Sequence, residues 1–161
     1  TQIMTWFKEN VEKDGKTLTD FCLALEEGRS EEVERILSIY LKKTISIRDT
    51  FVQKPTKENF YHGLLLGILG FKENWSVMSN RETGDGFSDI LIRIEDEDVG
   101  IVIEVKYASD GNMEKECENA LQQITDVRYT EALEQEGIHK IIKYGVACYK
   151  KKCKVMMKIE G

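Results

Sequence analysis

One apolar run interrupted by two charges constrains the fold more than any other feature of the sequence. Residues 100–107 are Gly-Ile-Val-Ile-Glu-Val-Lys-Tyr, a composition typical of a buried strand. Successive side chains of a strand point to opposite faces, so Glu104 and Lys106 share one face, while Ile103 and Val105 share the other. Burying a lone charge is costly, whereas mutual pairing or a bound metal offsets much of that cost. The run therefore predicts a strand whose charged face needs a partner.

Asp89 raises the same question on the preceding predicted strand, where it stands directly before three apolar residues. If the two strands are adjacent, the carboxylates of Asp89 and Glu104 converge and offer the hard oxygen ligands that Mg²⁺ or Mn²⁺ prefers. Lys106 beside them would orient a water molecule or stabilise developing negative charge. The alternative is a surface ion pair between Glu104 and Lys106, worth under about 1 kcal/mol, with Asp89 and Glu104 apart in space.

The rest of the chain shows helical periods first and strand patterns later. Apolar residues at a 3.6-residue period after Ser30 predict an amphipathic helix, preceded by a shorter helix that ends at Gly28 and by another in the first dozen residues. The later elements are a buried helix over 57–70, strands over 75–81, 88–94 and 100–107, a helix from about Met113 that continues, bent or broken, to Gly137, and strands over 139–149 and 153–159 joined by a lysine turn at 150–152.

This order predicts an α/β domain with a mixed central sheet flanked by helices. A length of 161 residues is that of one ordinary domain, so we expect a single core. We expect this core over 53–161, preceded by an N-terminal helical segment over 1–52. No apolar run approaches the roughly 18 residues of a membrane span, and no secretion-signal pattern opens the sequence, which favours a cytoplasmic protein. The four cysteines are scattered without a C-x-x-C pair and are predicted to be free and buried.

Charge is distributed unevenly along the chain. The formal net charge is −6, but residues 139–161 carry seven lysines against one glutamate, which leaves −12 on residues 1–138. A basic patch on an acidic body is compatible with phosphate binding. A solvated lysine-rich hairpin explains the same pattern equally well.

Four stretches together resemble the PD-(D/E)XK nuclease superfamily, and within it the domain found at the C-terminus of bacterial and archaeal AAA-ATPase-like proteins. They are ENFYHGLLLGIL (58–69), SNRETGDGFSDILI (79–92), IVIEVKYA (101–108) and ALQQITDVRY (120–129). The resemblance covers almost the whole chain and implies a restriction-endonuclease-like core. It also implies an ATPase module in the same polypeptide, with which a start at Thr1 is consistent.

The resemblance implies a specific set of site residues. Asp89 and Glu104 would be metal ligands, the backbone carbonyl of Val105 would add a third ligand, and Lys106 would be the catalytic lysine.

Weaker roles follow from the same motifs. The resemblance implies support from Glu58 on the first core helix and from Gln123 and Tyr129 later in the chain. Each has an equally good structural alternative: a charge near a helix terminus for Glu58, a solvent-facing side chain for Gln123 and ordinary packing for Tyr129. Arg81 would contact a phosphate and Glu82 would assist at the metal, although both fit a turn equally well.

The expected activity is Mg²⁺- or Mn²⁺-dependent hydrolysis of phosphodiester bonds in nucleic acid, with DNA as the expected form. Lys150, Lys151 and Lys152 are predicted to contact phosphates. One departure is that Phe87 stands where related sequences have an arginine before the Asp motif, which removes a candidate phosphate clamp. The alternative is a catalytically weak or inactive module that regulates its AAA-ATPase-like partner.

Overall fold

Five strands and five helices make up the described part of the protein. The computed structural model describes residues 15–44, 54–70, 72–81, 88–126 and 129–160. In chain order the elements are α1 (Gly15–Glu27), α2 (Ser30–Thr44), α3 (Lys54–Leu69), β1 (Trp75–Arg81), β2 (Ser88–Ile94), β3 (Val99–Tyr107), α4 (Met113–Asp126), α5 (Tyr129–Gln135), β4 (Lys140–Tyr149) and β5 (Lys152–Glu160). The predicted order of helix, three strands, helix and two strands is confirmed, and the helix predicted from about Met113, bent or broken, to Gly137 is described as α4 and α5 on either side of residues 127–128.

The helices begin and end where local chemistry favours it. In α2, Glu31 and Glu32 occupy the first turn and Lys42 and Lys43 the last, which complements the helix dipole. Helix α1 ends before Gly28, whose φ of +73° disfavours residues with a Cβ. The helix predicted in the first dozen residues lies outside the described residues, as does the predicted segment boundary at 52–53.

The sheet is mixed, as predicted, with strand order β1-β2-β3-β4-β5. Strands β3 and β4 are parallel, and the other three pairs are antiparallel. A parallel pair needs a crossover, which α4 and α5 provide. Helix α4 therefore covers one face over β3, β4 and β5, while α3 lies on the other face against β1, β2 and β3.

Alternate residues of β2, β3 and β4 enter two different hydrophobic clusters. The larger cluster joins one face of the sheet to α1, α2 and α3, and includes Ile90, Ile92, Ile103 and Val105. Helices α1 and α2 thus share a core with α3 and the sheet. The smaller cluster, on the α4 face, consists of Leu91, Val102, Ile124, Leu133, Ile138 and Ile141.

The β4–β5 hairpin closes on a two-residue loop rather than the three-lysine turn expected from the sequence. Tyr149 and Lys152 are register partners, so Lys152 belongs to β5 and only Lys150 and Lys151 form the loop. Lys150 has a φ of 54°, a value that two-residue hairpin loops require. Among the described helices, none has the length and apolar character needed to cross a membrane.

Candidate active site

Asp89 and Glu104 lie directly opposite each other on neighbouring strands. The antiparallel register pairs Asp89 of β2 with Glu104 of β3, and both residues are 1% exposed. Residues paired in this way have Cβ atoms about 4.5–5.5 Å apart and project to the same face. That face is the α4 side, because Leu91 and Val102, two residues along each strand, belong to the smaller cluster. The strand pairing on which the predicted convergence of the two carboxylates depends is therefore present.

Lys106 completes this group two residues further along β3. Its Nζ lies 3.7 Å from Oε1 of Glu104, and its side chain keeps 17% exposure against 1% for Glu104. The other carboxylate oxygen of Glu104, Oε2, is buried and makes no hydrogen bond within the described residues. A buried anionic oxygen in this state has an unused capacity to accept a proton donor or a cation.

The backbone N–H and C=O groups of Val105 point toward β2, at the end of that strand where Asp89 lies. Ala108 N donates to Cys148 O of β4 at 2.8 Å, whereas Tyr107 N donates to Oε1 of Glu58 at 3.2 Å. Backbone groups alternate in direction along a strand, so Val105 directs its carbonyl to the same edge as Tyr107. Because the β2–β3 register ends at Asp89 opposite Glu104, this edge borders the carboxylates.

Glu58 reaches the end of β3 from helix α3. Its carboxylate accepts the hydrogen bond from Tyr107 N and holds the strand where β2 no longer pairs with it. Four residues later His62 is fully buried and hydrogen-bonds Ser79 of β1 at 2.7 Å between Nε2 and Oγ. One side of α3 therefore fixes the strands on both sides of β2.

Helix α4 approaches the site closely because Gly145 lacks a side chain. Gly145 is the register partner of Glu104, and a Cβ there would overlap the carbonyl oxygen of Cys117. Thr125 of α4 accepts a hydrogen bond from Lys143 at 3.3 Å on the β5 side. At about 100° per residue, Gln123 lies on the opposite side of the helix, toward β3. Its Nε2 is buried and makes no hydrogen bond within the described residues.

Of the other predicted site residues, only Lys150, Lys151 and Lys152 have side chains that the structure describes. Arg81 ends β1 opposite Ser88, and Tyr129 begins α5, but their side chains lie outside what the structure describes, as do Glu82 and Phe87 entirely. Lys150, Lys151 and Lys152 are exposed beyond Ala147, the register partner of Lys106. Within the described ranges, no group of three or more His, Cys, Asp or Glu side chains could hold a metal ion.

The cysteines form no part of this site. All four are free and buried, as expected. Burial raises the pKa of Cys22 to about 11, that of Cys117 to about 11 and that of Cys153 to about 12, because a thiolate loses its hydration there. Nucleophilic thiol chemistry is therefore disfavoured near neutral pH.

The sequence model of the PD-(D/E)XK nuclease superfamily matches residues 56–158. The match covers more than half of the chain and includes Asp89, Glu104 and Lys106. The chain belongs to the PD-(D/E)XK nuclease superfamily. Its mixed five-stranded sheet with flanking helices is consistent with the restriction-endonuclease-like fold of that superfamily. No curated protein sequence matches the chain, and the association with an AAA-ATPase-like domain stays a prediction.

Members of the PD-(D/E)XK superfamily are in general nucleases and typically use divalent metals. The donors present here suit such an ion in kind: the carboxylate of Asp89, the carboxylate of Glu104 with its buried Oε2, and a backbone carbonyl edge all offer hard oxygens. Two carboxylates alone leave coordination positions for water and substrate, as is usual for Mg²⁺.

Sequence reasoning missed a second charged pair on the α4 face. Lys143 is 1% exposed and donates to Glu160 at 2.8 Å. The signal was available, because Lys143 is a charged residue at an inward position of an otherwise apolar strand. A row of tyrosines near the end of the sheet was also missed, since its members lie far apart in sequence.

Proposed function

We propose that this protein hydrolyses phosphodiester bonds of nucleic acid with a divalent metal bound by Asp89 and Glu104. The observation that carries the proposal is the register of β2 against β3, which sets two buried carboxylates opposite each other beside Lys106. Two like charges buried together oppose folding unless something compensates them. Lys106 supplies one positive charge, and a divalent cation bound by both carboxylates would compensate their charge further.

The residues that would hold the ion are Asp89, Glu104 and the carbonyl of Val105. When bound, Mg²⁺ or Mn²⁺ polarises a phosphate and lowers the pKa of a bound water. The buried Oε2 of Glu104 supports this assignment, because it has no hydrogen-bond donor among the described residues. Gln123 would orient a water or phosphate oxygen through its buried Nε2, a donor that has no acceptor among the described residues.

Lys106 has a role that its neighbours cannot take. Its side chain is the most exposed of the three, so its ammonium is accessible to a phosphate while it lies 3.7 Å from Glu104. It would orient the attacking water or stabilise the negative charge that develops in the transition state. Glu58 would act by holding Tyr107 N and hence the end of β3, with direct or water-mediated contact to the metal as an additional role.

Phosphate binding beside the site is assigned to the lysine hairpin. Lys150, Lys151 and Lys152 lie beyond the end of β4 next to the strand that carries Lys106, and their positive charge offsets an acidic body. Arg81 and Tyr129 are proposed as further nucleic-acid contacts. DNA is the proposed substrate.

A pair of variants tests the proposal. Lys106→Met should lower cleavage by about 10²–10³-fold yet preserve the rise in melting temperature caused by Mg²⁺, because lysine is no ligand. Asp89→Ala should lose both the cleavage and the rise in melting temperature. Lys42→Met, an exposed lysine on α2, is the matched control and should retain both. The assay uses single-stranded DNA, duplex DNA and RNA, and robust cleavage by Lys106→Met would refute the mechanism.

A regulatory module is the second candidate, favoured by the charge of −12 on residues 1–138 and by Phe87 at the expected arginine position. In that case the domain binds its AAA-ATPase-like partner, and the bound metal stabilises the domain or has a signalling role. A wild-type protein that is stabilised by Mg²⁺ but cleaves none of the three substrates, alone or with the ATPase domain, would favour this candidate over hydrolysis.

A further inference from the structure

Three tyrosine rings form a row at the end of the sheet that also carries the carboxylates. Tyr61 of α3 stacks on Tyr107 of β3 with centroids 6.0 Å apart and planes 14° apart. Tyr107 continues to Tyr149 of β4 at 6.1 Å and 36°. The hydrolysis proposed above makes no use of these rings. We call the row, together with the two lysines described next, the tyrosine row.

Two lysines lie against this row. The Nζ of Lys57 is 4.4 Å from the centroid of Tyr107 and donates to its hydroxyl at 3.1 Å. The Nζ of Lys150 is 5.2 Å from the centroid of Tyr149. Tyr61 donates from its hydroxyl to the carbonyl of Lys150 at 2.7 Å, which fixes the hairpin loop to α3. The cations and the rings are thus held as one unit built from three separate elements.

Exposure separates the tyrosine row from an ordinary core. Tyr61 and Tyr107 are 5% exposed and form its base. Tyr149 and Lys57 are half-buried, and Lys150 is exposed, so one ring and the two lysine side chains are at least partly open to solvent. A packing role accounts for the two buried rings alone. It gives no reason for two cations to lie beside them.

Aromatic rings bordered by cations are the chemistry of surfaces that bind single-stranded nucleic acid. An unpaired base stacks on a ring, and lysines contact the neighbouring phosphates. Bases of a duplex are stacked on one another inside the helix and cannot reach such a ring without being extruded. The chemistry therefore selects a single strand.

Position relative to the carboxylates favours the same substrate. Tyr107 follows Lys106 in β3 but points to the opposite face, so the tyrosine row and the carboxylates are connected only around the end of the sheet. Tyr149 lies two residues beyond Ala147, the register partner of Lys106, which is about 7 Å along the sheet. A flexible single strand bends over so short an edge, whereas a duplex has a persistence length of about 150 base pairs.

We propose that the tyrosine row, formed by Tyr61, Tyr107 and Tyr149 with Lys57 and Lys150, binds single-stranded nucleic acid and leads it over the end of the sheet to Asp89 and Glu104. The inference rests on the proposed function and specifies its substrate as an unpaired strand. Tyr149 supplies the accessible stacking surface, and Lys57 and Lys150 supply phosphate contacts.

Binding of a fluorescently labelled oligothymidylate, measured by anisotropy in chelator so that nothing is cleaved, tests the proposal. Tyr149→Leu should weaken binding by about tenfold or more, since stacking on one aromatic side chain contributes that much. Tyr149→Phe keeps the ring and should stay within about twofold of wild type. Lys150→Gln changes an exposed side chain and should reduce the slope of log affinity against log salt by about 0.7.

The outcomes separate this inference from the proposed hydrolysis. Equal affinity of wild type and Tyr149→Leu for the oligonucleotide would overturn the proposed role of the tyrosine row. A duplex of the same sequence that binds as tightly as the single strand would also overturn it. No binding by wild type would overturn it as well. Strand binding that depends on Tyr149, in a protein that cleaves nothing with Mg²⁺, would preserve the inference and reject hydrolysis.

Discussion

The two faces of the sheet are built from the same strands but differ in what they bury. The face toward α1, α2 and α3 is an extended apolar core to which every strand contributes. The α4 face has a six-residue apolar cluster and, beside it, the buried side chains of Asp89, Glu104 and Lys143. Neighbouring residues of one strand, such as Ile103 and Glu104, therefore lie in opposite environments.

This difference assigns most of the folding stability to one face of the sheet and the candidate chemistry to the other. Apolar burial contributes roughly 25 cal/mol per Å², so the larger cluster provides most of the favourable free energy of folding. The α4 face can then carry charges whose burial is unfavourable by itself. The predictions below test this division, from the largest expected effect to the smallest.

Replacing adjacent residues of β2 compares the faces directly. Ile92→Ala removes a fully buried side chain from the larger cluster and should lower the free energy of unfolding by about 3–5 kcal/mol. Leu91→Ala removes an 8% exposed side chain from the smaller cluster and should cost about 2–3 kcal/mol. Urea unfolding measures both, and equal losses would show that the two faces contribute alike.

The Lys143–Glu160 pair should behave as a structural ion pair. Glu160→Gln leaves the Lys143 ammonium, whose side chain is 2% exposed, without its anionic partner, and should cost about 1–3 kcal/mol. Glu136→Gln removes the partner of Arg93, a more exposed pair, and should cost less because the solvent screens it. If chemical denaturation gives equal losses for the two variants, burial of Lys143 is not what makes its pair important.

Gly145 sets how closely α4 packs over the charged face. Gly145→Ala would place a Cβ against the carbonyl of Cys117 and should destabilise the protein by about 1–3 kcal/mol. Gly63→Ala is the matched control, because its Cβ meets open space within α3 and should instead stabilise by about 0.5–1 kcal/mol. Thermal unfolding of both variants gives the sign, and a stabilising Gly145→Ala would contradict the close approach.

Burial of Cys22 should make the free energy of unfolding depend on pH in the alkaline range. Its pKa is raised from 9.0 to about 11 by burial, so above pH 9 the unfolded chain releases a proton that the folded protein retains. Stability is therefore full below that pH and falls as the pH rises. Between about pH 8 and pH 10 wild type should lose about 1.4 kcal/mol more than Cys22→Ala. Parallel loss in the two proteins would mean that this thiol is not buried.

Glu104→Gln should have the smallest effect on stability. In chelator the change removes like-charge repulsion with Asp89 and also the 3.7 Å contact with Lys106, so the free energy of unfolding should shift by under about 1 kcal/mol in either direction. The response of the melting temperature to Mg²⁺ should disappear. A loss of several kcal/mol would instead make Glu104 part of a structural network like that of Lys143.

Much of the fold could be predicted from the sequence because local patterns follow backbone geometry. The strands at 75–81 and 88–94 have the predicted bounds, and the period-two alternation in β3 correctly separated Ile103 from Glu104. Helix α3 was predicted at 57–70 and spans Lys54–Leu69, a shift typical of helix ends. The lysine turn was misjudged by one residue, because strand pairing rather than composition decides where a hairpin loop begins.

The sequence by itself determined the elements, the charged face of β3 and the candidate trio of Asp89, Glu104 and Lys106. Only the tertiary structure decided that Asp89 lies opposite Glu104, that Gly145 admits α4 and that Tyr61, Tyr107 and Tyr149 meet. The physical reason is that side-chain direction along a strand follows from local backbone geometry. Which strands pair, and in which register, depends instead on contacts between residues far apart in the chain, whose sum no local pattern contains.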